Sequence, residues 1–195
     1  MRKYVLYALL LAIIVLLSLA EPWSSQWLGF DREAIQGGQW WRLFSAHFVH
    51  LSIFHMLGNA FGVLLVAYVA GGSLNNGLGM LLLLWNVLVV GFGLYFYADY
   101  LQTYVGLSGV LHGLIIAAPF ISPFYSRGTA FGVLLLVVVK VGWEQSPFYD
   151  DMAMSEIING RVETNAHLLG VIAGLAFLLA YYSVGYFSKR VKLNI

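Results

Sequence analysis

Apolar residues fall in long blocks along this chain, and short polar stretches separate them. Tyr4 to Ala20 is an unbroken apolar run behind Arg2 and Lys3. Further blocks cover about 43–70, 78–98, 108–122, 127–143 and 165–187, the fifth with its apolar core from Phe131 to Trp143. A helix needs about 20 apolar residues to cross the hydrocarbon of a bilayer. The pattern therefore predicts an all-α membrane protein, a single domain over 1–195 with six transmembrane helices. The first block also admits another reading. Ser18-Leu19-Ala20 resembles a small-x-small cleavage site, as in a signal peptide. Between the first two blocks, Trp23, Trp27, Trp40 and Trp41 interleave with Glu21, Asp31, Arg32, Glu33 and Arg42, a mixture suited to the membrane interface. Gly71 to Gly77 reads as an uncharged turn. The fourth block has only 15 residues. Its deficit is made up if Thr103 to Leu107 enters the membrane as non-helical chain, which requires protein or water around its backbone. Ser108 would then lie below the surface in a wet cavity.

Composition sharpens the class. Residues are 61% hydrophobic and 10% charged, against about 25% charged in soluble domains. There is no cysteine, so disulfide and thiolate chemistry are excluded. A net charge of +1 gives no case for nucleic-acid binding. With six spans, both termini share a side, and that side collects Arg2, Lys3, Arg127, Lys189, Arg190 and Lys192, six of the ten basic residues. All nine acidic residues fall opposite. Lys and Arg favour the cytoplasm, so both termini are expected there. The starts of the second, fourth and sixth spans, with His50, Ser108 and His167, then face outward.

The candidate chemistry centres on Gly106-Leu107-Ser108-Gly109-Val110-Leu111-His112-Gly113. A serine at a helix start has free backbone N–H groups beside it, which can stabilise an oxyanion. Gly106 and Gly109 allow close backbone approach. Small residues at this spacing also serve plain helix packing. On the sixth span, His167, Gly170 and Gly174 share a face, and on the fourth Ser108 and His112 share one beside Gly109 and Gly113. Packing of the two small-residue faces would bring His167 within reach of Ser108, the minimal nucleophile and base. A histidine that only bonds a neighbouring helix is the alternative. The second block supplies His47, His50, His55 and Asn59. His55 and Asn59 stack four apart and can donate to an oxyanion. Three histidines can also bind zinc, but His-Glu-x-x-His is missing and that block has no acid. Gly-x-Ser-x-Gly, the hydrolase elbow, is missing as well, since position 110 is valine, and no sheet context is expected.

Together these residues resemble the rhomboid intramembrane serine proteases. The resemblance covers residues 1–187 and implies a six-helix rhomboid-like bundle. Trp41-Arg42 resembles the family's Trp-Arg pair in the first outer loop. His50, His55 and Asn59 match His-x4-His-x3-Asn, and Gly106-Leu107-Ser108-Gly109 matches Gly-x-Ser-Gly. His167 with Gly170 and Gly174 matches the sixth span. The resemblance implies Ser108 as nucleophile and His167 as base, a dyad with no aspartate. His55, Asn59 and the Ser108 N–H would form the oxyanion hole, with no cofactor and no metal.

Many rhomboids carry an aromatic residue four positions after the serine, stacked on the base; here it is His112. With Asp31-Arg32 and Gly38-Gln39-Trp40-Trp41-Arg42, that run looks like the rhombosortase branch. That branch implies an enzyme of the bacterial inner membrane, its site open to the periplasm. Its partners would be the bilayer and transmembrane protein substrates with a C-terminal Gly-Gly anchor segment. The competing class is an inactive rhomboid-like binder of transmembrane helices, which would need none of the four polar residues. A channel or transporter fits less well, because no span shows a carboxylate suited to ion coupling. Phe148, Met152 and Met154 could form a lid over the site or simply a solvated loop.

Overall fold

In lipid, a backbone that cannot reach water must satisfy itself, and the apolar blocks accordingly wind into helices. The computed structural model describes residues 4–71, 74 and 76–193, with side chains to residue 184 except that of Asn76. Helix α1 is Val5–Leu19. The outer segment that follows holds α2 (Trp23–Leu28), β1 (Phe30–Asp31), α3 (Arg32–Gln36) and α4 (Arg42–Ser45). After it come α5 (Ile53–Ala70), α6 (Asn76–Tyr97), β2 (Thr103–Tyr104) and α7 (Ser108–Ile121). The chain continues through α8 (Arg127–Glu144), α9 (Met152–Ile158) and α10 (Thr164–Leu193). Among the described residues, three helical stretches are long and apolar enough to cross a membrane: Ile53–Ala70, Gly77–Tyr97 and Thr164–Val184. The α1 and α7 helices are apolar but shorter. The expected turn over Gly71–Gly77 lies partly outside the described residues, as do Arg2, Lys3 and the side chains of Lys189, Arg190 and Lys192.

Two expectations are corrected. The second block is not one continuous helix from residue 43. Ser52 caps α5 by accepting the His55 amide at 3.1 Å, so the helix begins at Ile53. The ten residues before it form α4, a 3₁₀ turn (Ala46–Phe48) and an extended Val49. His47 and His50 therefore precede the helix that carries His55 and Asn59. The Ala46 carbonyl instead closes a tight turn with the Val49 amide at 3.3 Å and accepts from the Gly106 amide at 3.0 Å, bonds that tie this stretch to the serine turn. The second correction is a small sheet. Phe30 pairs with Tyr104 and Asp31 with Thr103, antiparallel, just ahead of the serine turn. This ladder pairs Thr103 and Tyr104 of the non-helical stretch expected at Thr103–Leu107, and the Gly106 amide finds the Ala46 carbonyl.

Two arginines, Arg32 half-buried and Arg42 buried, lock the outer segment. Arg32 donates to the carbonyls of Leu94, Tyr95, Ala98 and Leu101, at 2.8–3.2 Å. It thereby closes the open carbonyls at the α6 C-terminus, where a cation also suits the helix dipole. Arg42, 5% exposed, donates to Gln39 Oε1 and to the carbonyls of Gly29 and Gln26. Trp41, its neighbour, donates through Nε1 to the Trp27 carbonyl at 3.2 Å.

Helix α7 is the centre of the bundle. It contacts α5, α6, α8 and α10, most extensively α10. Gly109, Val110, Leu111, Gly113, Leu114, Ile116, Ala117 and Ala118 are all buried. A helix enclosed by protein needs no full bilayer length, which accounts for a 14-residue element. Its contact with α10 is a backbone-to-backbone one. A Cβ on Gly109 would stand 2.7 Å from the Ala166 carbonyl oxygen, and one on Gly174 would stand 2.7 Å from that of Gly113. A Cβ on Gly170 would run into the Gly109 carbonyl.

Candidate active site

The serine turn is built by Gly106. Its φ of +122° is closed to other residues, and a Cβ there would lie 2.7 Å from His55 Nε2. The Tyr104 hydroxyl pins the turn by donating to the Gly106 carbonyl at 2.6 Å. Ser108 is thereby delivered as the first residue of α7, half-buried, beside the amides that a helix start leaves free. The glycine contact brings α10 alongside, and Ser108 Oγ lies 2.9 Å from His167 Nε2. The two residues are 59 positions apart in sequence.

His55 lies against the Gly106 turn, with Asn59 one helical turn further along α5. Asn59 Nδ2 donates one proton to the His55 carbonyl at 3.0 Å and has a second to offer. His50 is buried with its ring edge-on to His55, centroids 4.9 Å apart. His47 is turned elsewhere, against Tyr104 and the backbone of α6 near Gly91. The three histidines of the second block thus do not converge on one point. A cavity of about 610 Å³ opens beside His55, with Gly29, Tyr104 and Arg161 on its walls.

His112 stacks on His167, rings 4.3 Å apart and 23° from parallel. It also bonds the Ser108 carbonyl through Nδ1 at 2.7 Å. The stack and the carbonyl bond, alternatives in the sequence, coexist.

Two residues were missed by the sequence reading. Glu144 Oε2 sits 2.9 Å from His167 Nδ1, on the side of the ring away from Ser108. Lys140 Nζ lies 2.7 Å from Glu144 Oε1 and 2.9 Å from His112 Nε2. His167 thus has a carboxylate partner that the expected Ser-His pair did not include, Glu144 as the last residue of α8. The signal was available: a lysine and a glutamate four apart inside an apolar block are costly unless they have work to do. Among the described residues, His112, Glu144 and His167 also form a group with ligand atoms within 4.8 Å of one another. The Lys140 ammonium already supplies positive charge to that group.

The Rhomboid domain family matches residues 37–184. The chain belongs to the rhomboid family. It is an integral membrane protein, and the matched region takes in α4 at the end of the outer segment, the serine turn and the histidine of α10. It is also similar to the "Putative rhomboid protease YdcA" of Bacillus subtilis (strain 168), 25% identical over 170 residues, 83% of this chain and 76% of that protein.

Proposed function

We propose that this rhomboid is an active intramembrane serine endopeptidase of the rhombosortase type. It would cross the bacterial inner membrane six times, with both termini cytoplasmic and its site open to the periplasm. The observation that carries the reading is the 2.9 Å approach of Ser108 Oγ to His167 Nε2 at the start of a buried helix. The Ser108 hydroxyl donates its proton to Nε2 as the oxygen attacks a peptide carbonyl. The negative charge that then develops on the substrate's carbonyl oxygen is received by the Ser108 amide, with His55 and Asn59 as side-chain donors. Nε2–H then protonates the leaving amine, and water hydrolyses the acyl-serine by the same relay in reverse. His112 at the stacking position, with Asp31-Arg32 and Trp40-Trp41-Arg42, favours the rhombosortase branch. Its substrates would be exported proteins whose C-terminal anchor carries Gly-Gly before an apolar segment and a basic tail.

The test is labelling of the detergent-purified protein with a serine-reactive fluorophosphonate, beside Ser108→Ala, then co-expression with a Gly-Gly-anchored protein and mass determination of the released product. Labelling lost in Ser108→Ala, and release near Gly-Gly, is the expected result. A folded wild type that never labels would be a helix binder, not an enzyme. Cleavage of transmembrane substrates without regard to Gly-Gly would remove the branch and keep the protease.

A further inference from the structure

Lys140 Nζ also stands 3.3 Å from His167 Nδ1, but the Glu144 oxygen is nearer at 2.9 Å, and the shorter hydrogen bonds around the ring favour one arrangement of protons. Lys140 can only donate. His112 Nε2, 2.9 Å from the Lys140 ammonium, must therefore accept. The other nitrogen of that ring then carries its proton and donates to the Ser108 carbonyl, an acceptor, at 2.7 Å. Lys140 also donates to Glu144 Oε1 at 2.7 Å, which leaves Oε2 to accept from His167 Nδ1–H at 2.9 Å. With its proton on Nδ1, His167 presents a lone pair at Nε2, 2.9 Å from Ser108 Oγ. That is the tautomer a general base requires. The Glu144 side chain is 5% exposed, and its partner Lys140 is the neighbouring cation that offsets the cost of holding it there.

We propose that Glu144 is the positioning residue of this site, and that Lys140 sets which of its oxygens faces the base. This inference rests on the protease reading. The site is then a Ser108–His167–Glu144 line rather than a bare pair. During attack, the Ser108 proton moves to Nε2, and the imidazolium so formed donates from Nδ1 to an ionised Glu144. The Glu144 carboxylate takes no proton; its charge stabilises the cation that appears beside it.

Glutamine at position 144 exposes the logic. It keeps the shape but has one acceptor and one donor. The Lys140 ammonium demands the acceptor, so the amide N–H₂ turns to His167 Nδ1. The ring must then accept at Nδ1 and carry its proton on Nε2, where it cannot receive one from Ser108. Glu144→Gln should lower kcat by about 10²–10⁴-fold, as a wrong tautomer does in soluble serine proteases, with KM changed less than about twofold. In Lys140→Met/Glu144→Gln the amide is free to rotate, and at least about a tenfold recovery over Glu144→Gln is expected.

The experiment measures fluorophosphonate labelling rates and kcat and KM on a transmembrane substrate for the wild type and these variants, with thermal melting in detergent as the control for folding. Histidine-selective ¹⁵N NMR of the wild type reads the tautomer directly and needs no variant to fold. His167 protonated on Nδ1, a fall confined to kcat, and recovery in the double variant are the expected results. Nε2-protonated His167 in the resting enzyme would overturn the proposal, as would Glu144→Gln with wild-type kcat or a double variant no better than the single one. Failure of the protease reading looks different: the wild type itself would not label at Ser108.

Discussion

Valine at Gly174 should separate the nucleophile from its base without touching either. A Cβ there would stand 2.7, 2.9 and 3.2 Å from the oxygen, Cα and carbonyl carbon of Gly113. All three are backbone atoms, so no rotamer change relieves them. Reaching ordinary contact at 3.4 Å requires α10 to withdraw by about 0.7 Å, even for alanine, and further for the branched side chain. His167 is seven residues away, about 10 Å along a stiff helix at ~1.5 Å per residue, and would move with it. The Ser108–His167 separation would widen from 2.9 Å to about 3.6 Å, outside hydrogen-bond range. A misplacement near 1 Å costs on the order of 10²-fold in rate. Overpacking a tight contact costs about 1–3 kcal/mol in stability. Gly174→Ala should thus lose roughly tenfold and Gly174→Val roughly a hundredfold in kcat, each with a lowered melting temperature. The assay is cleavage of a transmembrane substrate in detergent, normalised to folded protein, beside thermal melting. A Gly174→Val enzyme of full activity and unchanged melting would refute the reasoning, because the α7–α10 spacing could not then be what sets the site.

Asn59→Ala or His55→Ala should lower kcat by about 10²–10³, less if the Ser108 amide dominates, whereas His47→Ala should act on stability instead. A His47→Ala variant more impaired in kcat than Asn59→Ala would disprove that assignment. His112→Phe keeps a flat face on His167 but loses the acceptor for Lys140, and His112→Ala loses both. Activity should therefore fall in the order wild type, phenylalanine, alanine, and alanine equal to phenylalanine would remove stacking as a factor. Near α9, the Ser155 hydroxyl and the Val162 amide hold the Asp151 carboxyl below the usual carboxylate range. A depressed folded value means stability present above the unfolded value of about 4 and lost as pH falls through the folded one. Amide-exchange protection factors over residues 152–158, corrected for the intrinsic pH dependence of exchange, should fall on acidification below that point, and Asp151→Asn should flatten the dependence.

The pairing of Ser108 with His167 and the glycine faces could be read from sequence because each depends on local periodicity. Residues four apart on a helix share a face whatever the fold, and a glycine pair on each of two apolar blocks implies a close approach. The apolar blocks themselves were legible because lipid leaves the backbone little choice but helix. What was not legible depended on contacts between distant segments. The helix start at Ile53 was hidden because Leu43 to Val49 carries no acid, lysine or arginine and runs on into the apolar block, yet its Ala46 carbonyl is claimed by Gly106, 60 positions on. The Phe30–Tyr104 ladder joins two stretches whose composition alone does not propose a sheet. Glu144 is the sharpest case. Along the chain it is a carboxylate closing an apolar helix, and only the packing of α8 beside α7 and α10 brings it to 2.9 Å from His167. Helical periodicity relates residues on one element, whereas the partner of a side chain across an interface is decided by how closely whole helices can pack, and here by glycines that hold no side chain at all.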